Sequence, residues 1–280
     1  MAKTMRSSRQ TLEDPTALGR QFKKRLQGHD VLVGGTVLEY LRPSLVKVYR
    51  RAGYDFIYAE SEHAHLLLPQ FSDFVLSARD NGIPMIAKTG QLERPEVARL
   101  LDAGVVGIQL PRTESRDEVL ELLQYMKFPP NGTRAGAPCY GNVDYAPPGD
   151  DAAYMKRADE ATVLVVHIET KQGYENADEI VSTPGVDMVY VGPYDFSISM
   201  GHPGEYDHPQ VRGPMQEILE LCRKHKVPFG TSASGDKAAA AWVRKGCRFF
   251  ELPDEITLIA QGATNLAAAY SKMPRSPGRA

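Results

Sequence analysis

The sequence predicts an α/β fold: a (β/α)8 TIM barrel in a single domain, with an extra helix before the first strand. Three observations carry that expectation. Eight short apolar runs recur along the 280 residues, each of strand length and several rich in β-branched residues. Longer amphipathic stretches separate them, so strand and helix alternate, which calls for parallel pairing with right-handed crossovers. No GxGxxG follows the first run, which disfavours a dinucleotide-binding sheet, and eight such units in about 250 residues suit a closed barrel.

Taken in order, residues 15–28 read as the extra helix and 31–37 as the first strand, followed by a helix over 43–52. The strand over 56–59 leads to a helix over 69–81, 85–88 to 94–103, and 107–110 to 115–126. The strand over 163–168 precedes a helix over 176–182, 188–191 precedes 209–225, 227–230 precedes 236–245, and 248–252 precedes a closing helix over 255–271. Several helix–strand junctions share a glycine, as in Ala103-Gly104-Val105, where a left-handed residue ends the helix. Such junctions belong to the bottom of a barrel and are structural. One connection breaks the rhythm: residues 128–159 are long and rich in Pro, Gly and Tyr. It is expected to be a loop hanging over the catalytic face, with Arg134 and the tyrosines Tyr140, Tyr145 and Tyr154 available to the distal part of a substrate.

Composition bounds the function. Hydrophobic residues make up 42% and charged residues 24%, an ordinary globular balance, and 33 basic against 35 acidic residues leave a net charge of −2. Neither a nucleic-acid partner nor a membrane span is expected. The barrel domain is placed at 15–272, with 1–14 a disordered leader lacking a secretory apolar core and 273–280 a disordered tail. Cys139, Cys222 and Cys247 form no pair and no zinc spacing, which points to a reduced, cytoplasmic setting. Cys222 and Cys247 read as core residues.

In a barrel, the strand C-termini build the active site. Glu169 and Asp195 each follow a buried-looking apolar run. An acid there is costly unless something positive neutralises it, and a divalent cation on oxygen ligands would do so while supplying a Lewis acid. The ordinary alternative is a pair of strand-end acids facing water. Strand two leads into Glu60, Ser61, Glu62 and His63, and His63 is the candidate general base, with a neighbouring carboxylate to orient it. His65 ranks below it. Lys88 ends strand three, and Gln109 lies near the end of strand four. The strand interiors are expected to be apolar.

At four blocks the chain resembles the HpcH/HpaI family of class II, metal-dependent pyruvate aldolases, as a divergent member. They are residues 52–63; Leu100-Leu101-Asp102-Ala103-Gly104; residues 128–134; and Ile168-Glu169-Thr170 taken with 184–187 and 192–201. The resemblance implies an aldehyde-lyase. A 2-oxo acid such as pyruvate would chelate Mg2+ or Mn2+, with Co2+ or Zn2+ as other options, on Glu169 and Asp195. Backbone N–H groups near Tyr194 and Asp195 would hold its carboxylate. His63 and Glu60 would assist the base, and the enolate would add to an aldehyde or leave by cleavage of a 4-hydroxy-2-oxo acid. Asp102 would help from a neighbouring subunit of a homo-oligomer, a hexamer paired through an exchanged C-terminal helix.

The chain departs from that pattern. Lys88 stands where the family places an arginine that contacts the ketone oxygen, and His167 replaces a usual glutamine. Lys88 carries charge without a bidentate fork, and a Schiff-base amine is a further option. His167 is read as a substrate contact, with third metal ligand or support to a ligand as options. Two alternatives remain: decarboxylation or other enolate chemistry on the same metal, and an inactive barrel serving as a binding subunit.

Overall fold

The computed structural model describes residues 14–64 and 68–273. Most of the leader, most of the tail, and His65 fall outside those residues. Eight parallel strands close into a barrel in sequence order: β1 Leu32–Val37, β2 Phe56–Ala59, β3 Met85–Lys88, β4 Gly107–Leu110, β5 Val163–His167, β6 Met188–Val191, β7 Phe229–Thr231 and β8 Phe249–Leu252. Pairing of β1 with β8, Leu32 beside Phe249 and Gly35 beside Leu252, completes the circle. The helices are α1 Ala17–Leu26, α2 Pro43–Ala52, α3 Leu68–Asp80, α4 Arg94–Ala103, α5 Arg116–Met126, α6 Asp151–Ala161, α7 Lys171–Glu175, α8 Ala177–Val181, α9 Pro193–Ser199, α10 Pro209–His225, α11 Asp236–Lys245 and α12 Glu255–Ser271. Among the described residues, no helix is long and apolar enough to cross a membrane.

The period-two alternation of each strand splits the core in two. Ile57, Ala87, Ile108, Val166 and Val189 belong to the cluster between sheet and helices. Phe56, Tyr58, Ile86, Val163, Val165, Met188, Tyr190 and Phe249 fill the barrel interior. Phe22 and Leu26 of α1 join that inner cluster, so the extra helix closes the base. Phe56 stacks on Phe249 with centroids 4.2 Å apart. A glycine makes the room: a Cβ on Gly34 would stand 2.2 Å from the Phe56 ring.

Most element boundaries shift by a residue or two, and two departures have clear physical reasons. The seventh strand begins at Phe229 rather than 227. Lys226 adopts a left-handed conformation (φ 59°) that caps α10. Val227 N–H donates back to Cys222 O, and Pro228 has no N–H to give. The long connection over 128–159 is the larger correction. It contains a short 3-10 turn, Gly141–Val143, and most of α6. Because α5 intervenes after β4, the chain has already returned to the base, and the connection packs there rather than over the catalytic face. Gly104 (φ 103°) ends α4 in the left-handed region, and a Cβ would lie 2.8 Å from Gly141 O of this connection.

Adding one methyl at Gly34 forces the stacked Phe56 and Phe249 apart. Gly34→Ala is expected to cost about 1–3 kcal/mol, read as a lower urea midpoint; an unchanged midpoint would show that the inner aromatic layer yields freely.

Candidate active site

A cleft of about 660 Å3 opens at the C-terminal ends of the strands, lined among others by Glu60, Lys88, His167, Glu169, Asp195 and Glu251. Chain geometry brings these groups together. Inward positions at the strand tops deliver Tyr58, Lys88, Gln109, His167, Tyr190 and Glu251. The first residues beyond the strands deliver Glu60 and Glu169, and the first turn of α9 delivers Asp195. Pro193 at N1 pre-sets that turn. The upper interior is therefore polar, and Glu251, inside the last strand and 7% exposed, breaks the expectation of apolar strand interiors.

Glu60 is a clamp. One oxygen accepts the backbone N–H groups of Glu62 (2.6 Å) and His63 (3.3 Å). The other accepts Lys88 Nζ at 3.1 Å and Tyr58 OH at 3.3 Å. Glu60 thus fixes the loop that carries His63 through its backbone. The His63 ring is exposed, and its Nε2 lies 3.8 Å from Glu62.

Lys88 is buried between Glu60 and Glu62, the latter at 2.5 Å. Burial alone favours its neutral amine, but Glu169, Glu60 and Glu62 outweigh it and raise its pKa. An ammonium held this firmly is a poor Schiff-base nucleophile. Its charge is spent on the acids around it.

Glu169 is 2% exposed. Oε1 accepts the Arg112 N–H at 2.8 Å, and Arg112 adopts a left-handed backbone (φ 44°). Oε2 is buried without a hydrogen-bond partner. Burial pushes the Glu169 carboxyl up to about 7; Lys88 and the Arg112 amide oppose that, and Asp195 and Glu62 add to it. His167 lies beside it, its pKa lowered well below normal by burial and by Lys88. It is a neutral imidazole. Gly192 faces both: a Cβ there would stand 2.3 Å from His167 Nε2 and 3.2 Å from Glu169 Oε2.

These residues fit a divalent cation. Two carboxylates at one mouth are a hard-oxygen donor set, and the partnerless Glu169 Oε2 has an open ligand position. Elsewhere on the described surface His202, Glu205 and His208 bring three donor atoms within 4.8 Å of one another. There the two rings stack at 3.5 Å, and nitrogens of both are engaged by Gln210.

The structure does not bring Asp102 or Arg134 to this mouth. Both are at the base of the same barrel, where Arg134 is buried and pairs with Asp102 at 3.0 Å. Asn142 donates to the same Asp102 oxygen at 3.2 Å. Arg134 and Tyr154 line a separate cavity of about 40 Å3 there. The expected contact of Arg134 and Tyr154 with substrate is therefore corrected for their own chain, because α5 carries the following segment away from the mouth. Tyr194 borders the cleft but is exposed. Cys222 and Cys247 are buried, and Cys139 is exposed.

Residues 38–260 match the HpcH/HpaI aldolase/citrate lyase family. The chain belongs to that family. It is 26% identical over 264 residues to a 5-keto-4-deoxy-D-glucarate aldolase of Klebsiella pneumoniae, covering 92% of this chain and all of the relative. It is 28% identical to a hydroxypyruvate/pyruvate aldolase of Sagittula stellata, covering 78% of this chain and 85% of the relative. The crystal structure of an HpcH/HpaI aldolase from Desulfitobacterium hafniense superposes with a TM-score of 0.85 at 25% identity, over 91% of this chain and 98% of that one. Aldolases of this family thus share its whole architecture.

A cation can bind Glu169 only as its carboxylate. With that carboxyl pushed up to about 7, Mn2+ binding at pH 6 should release a proton. The affinity should fall about tenfold per pH unit below that value and level off above it. Calorimetry in two buffers of different ionisation enthalpy reads the proton count; zero release at pH 6 would contradict the Glu169 assignment.

Proposed function

We propose that this chain is a class II aldolase that cleaves or forms 4-hydroxy-2-oxo acids through the enolate of pyruvate or a close analogue. The observation that carries the reading is the buried Glu169, with one oxygen held by Arg112 N–H and the other partnerless, near Asp195 at the catalytic end of a barrel. The names of the relatives, aldolases of a keto-deoxy sugar acid and of pyruvate and hydroxypyruvate, support the substrate class.

Glu169 and Asp195 would hold a divalent ion, Mg2+ or Mn2+ among the candidates, and the ion would supply a Lewis acid for the ketone and carboxylate oxygens of the 2-oxo acid and charge for its enolate. The chain's own groups do the rest. The first-turn amides around Tyr194 and Asp195 are directed at the substrate carboxylate. His63, exposed at the rim, takes the methyl proton, and its Nε2 lies 3.8 Å from Glu62. Glu60 keeps that loop in place. Lys88 offsets part of the negative charge on the floor and lets the acids stay close together.

Glu169→Gln should lower cleavage of 4-hydroxy-2-oxo acids by at least about 100-fold, and chelation of wild-type protein should do the same. Activity that survives both would sink the metal-enolate reading.

The outer surface supports a homo-oligomer. From Ile259 onward every described residue of α12 is exposed, including Leu266 and Tyr270, as is Met273 just beyond it, and α11 buries none of its residues. A largely apolar helix left in water asks for a second copy to cover it, and the family resemblance favours a hexamer. In such an assembly Asp102, at the base of its own barrel, would act only in the mouth of a neighbouring copy. Light scattering should find an oligomer for the full chain and a smaller species after truncation at Leu258. A full-length monomer at micromolar concentration would refute the pairing.

A further inference from the structure

Four buried polar atoms near the top of the barrel have no hydrogen-bond partner: Glu169 Oε2, His167 Nε2, Gln109 Oε1 and Glu251 Oε1. They belong to neighbouring side chains. His167 Nε2 lies 3.0 Å from Glu169 Oε2, yet the two lack the alignment of a hydrogen bond. On the other side of the ring, Nδ1 lies 3.2 Å from the Gln109 amide. The Gln109 side chain is in turn within hydrogen-bonding reach of the Glu251 carboxyl, as is Tyr190. Buried polar atoms are rarely left unpaired, and a run of four needs a common cause.

A neutral imidazole has one N–H and one lone pair. If the N–H is on Nε2, it faces Glu169 without aligning to it, and three of the four atoms gain nothing. If the N–H is on Nδ1, a half-turn of the Gln109 amide lets Oε1 accept it. The lone pair of Nε2 then converges with Glu169 Oε2 on one point. Donors 3.0 Å apart without a shared proton have the spacing of neighbouring ligands of a six-coordinate ion, which stand about 3 Å apart at bond lengths of about 2.1 Å. Gly192 keeps that point clear, since any Cβ there would press on both donors.

We propose that His167 is a further protein ligand of the divalent cation, beside Glu169, and that Gln109 is a positioning residue that fixes its Nδ1–H tautomer. This rests on the metal-dependent reading above and extends it. One imidazole among the oxygens shifts the preference of the site. Mg2+ gains little from a nitrogen donor, whereas Co2+, Ni2+ and Zn2+ gain much. The chain is thereby suited to a first-row transition ion.

The test is pulsed EPR of the Mn2+-loaded full-length protein, which reads a directly bound 14N without reference to activity. A 14N coupling in wild type that disappears in His167→Gln is expected. In the same pair, Co2+ affinity should fall by about 10–100-fold while Mg2+ affinity changes less than about threefold. Gln109→Leu should also weaken Co2+ binding by about 10–100-fold, as loss of an orienting partner does. Bound Mn2+ without nitrogen coupling in wild type would overturn this inference and leave the aldolase reading standing. A coupling that survives in His167→Gln would place the ion elsewhere, as at His202 and His208, and would also overturn it. Failure to bind any divalent ion would overturn the aldolase reading itself.

Discussion

The mouth of this barrel holds more negative charge than its own cations neutralise. Glu60, Glu62, Glu169 and Asp195 face one buried ammonium, Lys88. Burial raises the cost of every uncompensated charge. The chain meets part of that cost with Lys88 and part with backbone N–H groups: those of Glu62 and His63 on Glu60, and that of Arg112 on Glu169. The remainder leaves Glu169 with a raised pKa and an oxygen that nothing in the chain satisfies. In the proposed function a divalent cation would resolve the imbalance, and the chemistry proposed for the site depends on it.

The rest of the architecture serves that convergence. The barrel places the acids on different strands and aims them inward. α1 and the aromatic layer of Phe22, Phe56 and Phe249 fill the lower interior, so the polar layer above stands on a packed floor. Gly192 provides the clearance that Glu169 and His167 require. Lys88 in the place of an arginine is consistent with this arrangement: its point charge fits between two carboxylates, and its ion pairs leave no donor fork for a substrate. Under the proposed function, recognition of a 2-oxo acid would rest on the cation and on the first turn of α9.

Much of this could be read from the sequence because it is local. Eight apolar runs alternating with amphipathic stretches define the barrel, and an acid directly after a β-branched run marks Glu169 and, one turn further on, Asp195. Other features depend on distant partners. Glu251 lies within Phe249-Phe250-Glu251-Leu252, and its one available signal was an acid inside an otherwise apolar strand. Of the two carboxylates that could orient the His63 ring, Glu60 instead clamps backbone N–H groups, which no spacing rule distinguishes. Arg112 contributes its N–H while its side chain is exposed to solvent, as expected of a surface charge. The misplacement of residues 128–159 has a topological cause: a segment after a helix belongs to the base, and the helix expected over 115–126 was already visible.

The central claim is that Glu169 and Asp195 share one divalent cation. Anomalous diffraction from a crystal equilibrated with Mn2+ tests it most directly. The account predicts a single strong peak within bonding distance of both carboxylates, beside Gly192. A peak confined to His202 and His208, or no peak between Glu169 and Asp195 at saturating Mn2+, would contradict it.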